Sequence, residues 1–358
     1  MDFVSKSFDF KDGDRCVVIG EIGVNHNCDR EILFKLIDKG VEAGLDIIKL
    51  QRFNTALEIS SHAALADYQA EAGMVENQLE MAKALELPDD LLIEAFEYCK
   101  QKGVGFLCTA FEHESVDFLA DTLGVSAVKV PSPEISNKPL LQYMAKRFDS
   151  MMISSGASYM EEVAQAINWV REVKPDIELA LMHCTSQYPA PIEQCNMKVI
   201  LSMREQFNLP VGYSDHTKGH VAAIVCAGMG GAMVEKHYTL DKNMVGPDHQ
   251  ASVDIPELKT LVKAVRDASA SLGDGVKVPA ATEGETRPKI RKSLYVNAEN
   301  LTKGTEITAD MIEKHVIGVK RPYDPEAIKP EEFDTLIGKT LNVDKGHDEP
   351  LSMKDFGG

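Results

Sequence analysis

The chain is short of positive charge. Its 38 lysines and arginines face 56 aspartates and glutamates, a formal net charge of −18. That balance argues against a nucleic-acid-binding protein. It also gives an anionic substrate no long-range attraction, so any phosphate site must be built from local lysines and backbone donors. Long apolar runs are missing as well. None approaches about 18 residues, so no membrane span is expected. Residues 1–15, MDFVSKSFDFKDGDR, lack the apolar core of a secretory signal. The 7 cysteines contain no CxxC pair, and an odd, scattered set predicts reduced thiols in a cytoplasmic protein. There is no HExxH motif and no Walker loop. The glycines of Cys226-Ala-Gly-Met-Gly-Gly231 lie between a helical pattern and a strand-like run, the wrong order for a dinucleotide fingerprint.

What is present is a repeat. Short apolar runs recur at Val17–Glu21, Ile47–Gln51, Val104–Thr109, Ala127–Val130, Met151–Ser155, Glu178–His183, Val211–His216 and Met233–His237. Most are followed by a helical pattern. After the first, Asp29 can cap a helix whose Leu33, Leu36, Ile37 and Val41 share one face, and Gly44 can end it. Later helices are expected at Asp90–Lys100, Glu114–Leu123, Tyr159–Val173, His220–Met229 and Ile255–Leu272. Eight strand–helix units predict a (β/α)8 TIM barrel. A barrel takes about 250 residues, so a chain of 358 has room for a second domain. We read a catalytic barrel over 1–275, a Gly/Pro/Thr-rich linker over 276–290 and a small β-rich domain over 291–358. Residues 54–88 form a long excursion after the second strand. Such loops often shape substrate pockets, although an extra surface helix fits the pattern equally.

In this fold the C-terminal strand ends build the site. Here they carry Glu21, Lys49, Thr109, Lys129, Ser155, His183, His216 and His237. Alternate strand residues point inward. Glu21 shares its side with Val17 and Ile19, Lys49 with Ile47, Lys129 with Ala127, His183 with Leu179 and Leu181, and His237 with Glu235. A charge buried under a helix is costly, so an inward direction is expected for all of them, with internal ion pairs as the alternative. His216 and His237 end neighbouring strands, which lie roughly 4.8 Å apart, and can share one divalent ion. Two protein ligands leave positions for water and substrate. Manganese, magnesium, cobalt and zinc all suit nitrogen and oxygen donors. His183, Asp215 and His249 are further candidates, and a plain hydrogen-bonded histidine pair is the alternative. Lys49 and Lys129, with hydroxyls of Ser132, Ser155, Ser186 and Ser214, can hold a small phosphate or carboxylate.

Several stretches resemble one family. EIGVNHN (21–27), VKVPSPE (128–134), HCTSQYPAP (183–191), GYSDHT (212–217), EKHYTLDK (235–242) and GPDHQAS (246–252) are similar to the sialic acid synthases. Residues from RKSLYV (291–296) through VKRP (319–322) to IGK (337–339) resemble the antifreeze-like (SAF) domain that follows the barrel there. The resemblance implies an enzyme that condenses phosphoenolpyruvate with an N-acyl hexosamine. It implies metal ligation by His216 and His237, with Mn2+ favoured over Mg2+ or Co2+. Lys49, Thr109, Lys129, Ser132, Ser186 and Ser214 match phosphoenolpyruvate contacts. Glu21, Phe111, Glu134, Tyr188 and Asp248 match positions around the amino sugar. Arg321 matches an arginine that reaches the N-acyl group from the partner subunit of a domain-swapped homodimer.

The implied chemistry is carbon–carbon bond formation with C–O cleavage, with Glu21, Lys49, Lys129 and Glu134 as catalytic groups. The acceptor is expected to be 2,4-diacetamido-2,4,6-trideoxymannose or N-acetylmannosamine, giving legionaminate or N-acetylneuraminate. The segment after the second strand leans toward the former. Alternatives are a pseudaminate synthase, another phosphoenolpyruvate–sugar synthase, or a non-catalytic sugar-binding protein. Four departures from the family pattern stand out: Cys28, Ala110, Pro133 and the turn YDPEAIKP (323–330).

Overall fold

The computed structural model describes residues 15–60 and 78–357. The chain divides into two compact units, Met1–Asp274 and Gly275–Gly358. The first is a closed barrel of eight strands in sequence order. These are β1 (Val17–Gly23), β2 (Ile47–Arg52), β3 (Gly105–Ala110), β4 (Ala127–Val130), β5 (Ser150–Ser154), β6 (Glu178–Cys184), β7 (Val211–Asp215) and β8 (Met233–His237). Every neighbouring pair is parallel, and β1 closes on β8.

Apolar side chains cover both faces of these strands. Ile19, Ile47, Leu107, Met152, Ala180, Met182 and Met233 fill the barrel. Their neighbours Val18, Ile48, Cys108, Ile153, Leu181 and Val234 pack under the helices. Burial of each large side chain is worth roughly 1.5–3 kcal/mol. The interior is tight at Gly212, where a Cβ would lie 2.3 Å from the Met233 carbonyl oxygen. The first helix, Arg30–Ala43, starts where Asp29 Oδ1 accepts from the Ile32 amide at 3.0 Å and ends on left-handed Gly44. The long excursion after β2 contains helices Thr55–Glu58 and Gln78–Leu85. Its residues 61–77 lie outside the described ones. No helix among the described residues is long and apolar enough to cross a membrane.

One inward assignment, His183, is corrected, and so are three candidate roles: Ser155 as a hydroxyl of the anion site, and Asp215 and His249 as metal ligands. On β6 the inner set is Ala180 and Met182, so His183 points outward with Leu181. Its Nε2 lies 2.7 Å from the Cys195 carbonyl oxygen. With apolar residues on both faces, alternation gave no sign of which side was which. On β5, Ser154 shares the side of Met152 and faces the cavity, while Ser155 donates to the Met182 carbonyl at 3.0 Å. Asp215 also faces outward. It forms a buried pair with Lys236, Nζ to Oδ2 3.0 Å, and accepts from Thr217 Oγ1 at 2.7 Å. His249 is buried between Thr239 and Asn27 instead of standing at the strand tips.

The second unit carries the antiparallel pairs β9 (Ser293–Val296) with β11 (Ile317–Lys320) and β10 (Asn300–Leu301) with β12 (Lys345–Gly346). Leu294, Val296, Ile307, Leu336 and Leu351 form its core. Within the stretch read as a linker, Thr286–Ile290 is a short exposed helix.

The outward Asp215–Lys236 pair makes a test. Asp215→Ala leaves a buried ammonium without its carboxylate and should cost about 3–5 kcal/mol in urea unfolding. Asp215→Leu combined with Lys236→Met should recover most of that loss. A single variant as stable as the parent would contradict this account.

Candidate functional site

A cavity of about 380 Å³ opens at the C-terminal ends of the strands. The register explains what reaches it. Glu21 sits opposite Lys49 on one side and His237 on the other, Thr109 opposite Lys129, and Ser214 opposite Glu235. Besides Ser155, His183, Asp215 and His249, Glu134 and Arg321 are the expected site residues that do not line the cavity. Glu134 accepts a hydrogen bond from Asn137 Nδ2 beside the wall. Arg321 belongs to the second unit, where it follows β11 and is exposed.

The floor is a closed set of charges. Lys49 Nζ lies 2.8 Å from Glu21 Oε2, donates to Thr109 Oγ1 at 3.0 Å, and is 3.8 Å from Glu235 Oε1. Lys129 Nζ donates to Glu235 Oε2 at 2.9 Å, and Ser214 Oγ donates to Glu235 Oε1 at 3.0 Å. Gln51 Nε2 donates to Glu21 Oε1 at 2.7 Å. The two lysines are therefore already paired. Sequence reasoning missed Glu235 as the residue that joins them. Its signal was present, because it shares the inward side of His237 two positions away. Burial alone would raise the Glu235 carboxyl, but Lys129 and Lys49 outweigh it and hold the group well below the usual range. Burial raises Glu21 despite Lys49, and lowers Lys129 despite Glu235.

Hydroxyls cluster beside this floor. Ser132, Ser154, Ser186 and Ser214 all line the cavity. The Gly156 amide donates to Ser132 Oγ at 3.0 Å. A Cβ at Gly156 would lie 2.1 Å from Ser186 Oγ and 2.7 Å from Ser132 Oγ, so only glycine leaves this corner open.

The histidine pair suits a metal. The ring centroids of His216 and His237 are 5.8 Å apart. His216 Nδ1 is 2.8 Å from the Thr185 carbonyl oxygen, which makes it the protonated nitrogen and leaves Nε2 an open lone pair. Tyr188 Oη stands 3.0 Å from that Nε2, with the two rings stacked. His237 Nδ1 is buried without a hydrogen-bond partner, and Asp248 Oδ2 is 3.5 Å away. Burial lowers His216 to about 4, and burial first, with smaller contributions from His216 and Lys49, pushes His237 well down, so both rings are neutral near pH 7. Neutral imidazole is the ligating form. Among the described residues no group of three or more His, Cys, Asp or Glu is arranged around one ion. The pair would thus leave most coordination positions open.

The NeuB family model matches residues 36–277. The chain is 37% identical over 332 residues to the N,N'-diacetyllegionaminic acid synthase of Legionella pneumophila, covering 92% of this chain and 91% of that one. It is 30% identical to the human N-acetylneuraminate-9-phosphate synthase, covering 94% and 91%. The crystal structure of the N-acetylneuraminic acid synthetase of Leptospira borgpetersenii superposes with a TM-score of 0.68 at 27% identity, over 76% of this chain and 90% of that one.

The chain belongs to the NeuB family.

This NeuB-family chain accommodates its unusual residues locally. Cys28 adopts φ 55°, its amide donates to His26 Nδ1 at 2.9 Å, and its thiol donates toward the Glu86 carbonyl at 3.3 Å. That contact ties the loop after β1 to the chain just beyond helix Gln78–Leu85. Pro133 lines the cavity within the short 3-10 turn Ser132–Ser136. Ala110 is fully buried at the end of β3.

Asp248 yields a pH prediction for this NeuB-family protein. Burial, and then the charge of Glu21, push its carboxyl to about 7 from 3.8. Between those values the folded state keeps a proton that the unfolded chain has lost. Stability therefore falls as pH rises through that window. In chelator-treated protein, Asp248→Asn should be more stable than the parent at pH 8 and should lose that advantage by pH 4. Equal urea midpoints at both pH values would contradict it.

Proposed function

We propose that this chain condenses phosphoenolpyruvate with an N-acyl hexosamine to give a nonulosonic acid and phosphate. One observation carries the reading. A single cavity holds a lysine–hydroxyl corner suited to an anion and a neutral histidine pair suited to a Lewis-acidic ion.

Lys129, the serine hydroxyls and the open corner at Gly156 hold the phosphate, and Lys49 steadies the carboxylate end. The enol C3 is then aimed at the acceptor carbonyl carbon. A Mn2+, Mg2+ or Co2+ ion held by His216 and His237 would polarise that carbonyl. The C3–C1 bond forms and leaves positive charge at C2. Water adds at C2 and gives its proton to a carboxylate, for which Glu134 is the proposed base. Burial already raises that carboxyl, against the opposing hydrogen bond from Asn137. The C2–O bond then breaks with loss of phosphate. Glu21 and Asp248 orient sugar hydroxyls. Glu235 keeps both lysines in place and offsets their charge until the substrate arrives.

For the acceptor we favour the 2,4-diacetamido-6-deoxy sugar over N-acetylmannosamine. The support is the stronger identity to a diacetyllegionaminic acid synthase than to the N-acetylneuraminate-9-phosphate synthase. We read residues 291–358 as an antifreeze-like domain. Its Arg321 would bind the N-acyl carbonyl of the neighbouring subunit's substrate in a swapped homodimer. All 7 cysteines are free, which suits a reducing, cytoplasmic setting.

Phosphate release from phosphoenolpyruvate should require an N-acyl hexosamine and a divalent ion, and the product mass should equal that of both substrates plus one water less phosphoric acid. Full turnover after verified metal removal would overturn the metal assignment. Gly156→Ala should raise the KM for phosphoenolpyruvate at least about tenfold by filling the hydroxyl corner. An unchanged KM would remove phosphate from that corner.

A further inference from the structure

Charge is unevenly spread in the cavity. Among the described residues that line it, the lysines are Lys49 and Lys129, both on the floor and both ion-paired. The carboxylate at the mouth is Glu58, exposed at the end of helix Thr55–Glu58. Partial burial, then the charges of Glu134 and Glu112, push its carboxyl to about 7, so it is charged above that pH. Arg52 is committed elsewhere, 2.9 Å from Asp89, 3.8 Å from Glu112 and 3.6 Å from Glu114.

The mouth is also apolar on this side. Phe53 and Phe111, just past β2 and β3, meet edge-on with centroids 5.9 Å apart. Ile59, Met81 and Leu85 from the excursion continue the wall. In the closed ring β3 stands opposite β7, the strand that ends beside His216. The wall therefore faces the histidine pair across the barrel. This inference rests on the proposed reaction, in which the acceptor carbonyl carbon lies at the histidines. An open-chain hexose anchored there extends its far end, C6, toward the wall.

We infer that Glu58 and the wall of Phe53, Ile59, Met81, Leu85 and Phe111 select the acceptor at C6, refusing a 6-phosphate and favouring a 6-deoxy carbon over a 6-hydroxyl. A phosphate dianion here would meet carboxylates, and among the described residues that line the cavity the cations are the paired lysines of the floor. Like charges brought together in a partly dry cleft are strongly unfavourable. The wall rewards a methyl group, while a hydroxyl loses water on that apolar surface and has Glu58 as an acceptor at its edge. Discrimination against a mere added hydroxyl is limited to about a hundredfold in such pockets. The order should therefore be deoxy, then hydroxyl, then phosphate far behind.

The test uses the full chain with Mn2+ at pH 8, where Glu58 is ionised, and three forms of one sugar: N-acetylmannosamine, its 6-deoxy analogue and its 6-phosphate. Phosphate release and product mass give kcat/KM for each. For the parent, the 6-phosphate should be at least about a hundredfold poorer than the 6-hydroxy sugar. Glu58→Lys should raise kcat/KM for the 6-phosphate at least about tenfold. Leu85→Asn should shrink the preference for the 6-deoxy sugar, read as a ratio so that any general loss cancels. Use of the 6-phosphate within threefold of the 6-hydroxy sugar, roughly the scatter of such constants, would overturn the inference while leaving the reaction intact. So would an unchanged ratio in Glu58→Lys. If neither these three sugars nor 2,4-diacetamido-2,4,6-trideoxymannose reacts, the synthase reading itself falls.

Discussion

The site depends on two ammonium groups and two carboxylates sharing the dry floor of the barrel. Lys49, Glu21, Lys129 and Glu235 are each buried to within a few per cent of completely. An isolated charge at that depth would be prohibitively costly. Paired in an alternating set, the four are tolerated, and they hold one another in place. The arrangement requires parallel strands in a closed ring, because only that register brings Glu21 between Lys49 and His237.

That constraint shapes the chemistry above it. A neutral floor accepts an anion only by redistributing contacts already made, so the hydroxyl corner around Ser132, Ser186 and Gly156 and its backbone amide matter as much as the lysines. The histidines stand at the rim of this network and are kept neutral by burial. Neutral rings are available as ligands where protonated ones would repel both a metal and the lysines. The cavity is thus graded: charged and paired at the base, ligating along one side, apolar and acidic at the opposite lip. An elongated substrate with an anionic partner at its base and an uncharged far end matches that grading.

The barrel was legible because strand–helix alternation repeats eight times with clean caps, as at Asp29 and Gly44. Inward directions were legible at Glu21, Lys49, Lys129 and His237. The inward direction failed at His183, where both faces of the strand are apolar, so alternation has no sign. Glu235 was overlooked because its importance lies in partners from β2, β4 and β7, far apart in the chain.

By itself the sequence determined the fold class and most of the polar strand-end residues that line the cavity. These follow from local periodicity, capping and composition, which the chain carries at short range. Only the tertiary structure decided which lysine pairs with which carboxylate, that Asp215 serves a structural ion pair, that Gly156 holds a corner open, and that helix Gln78–Leu85 returns to wall the cavity. Each of those is a contact between distant segments, set by barrel closure and by the cost of burying unpaired charge.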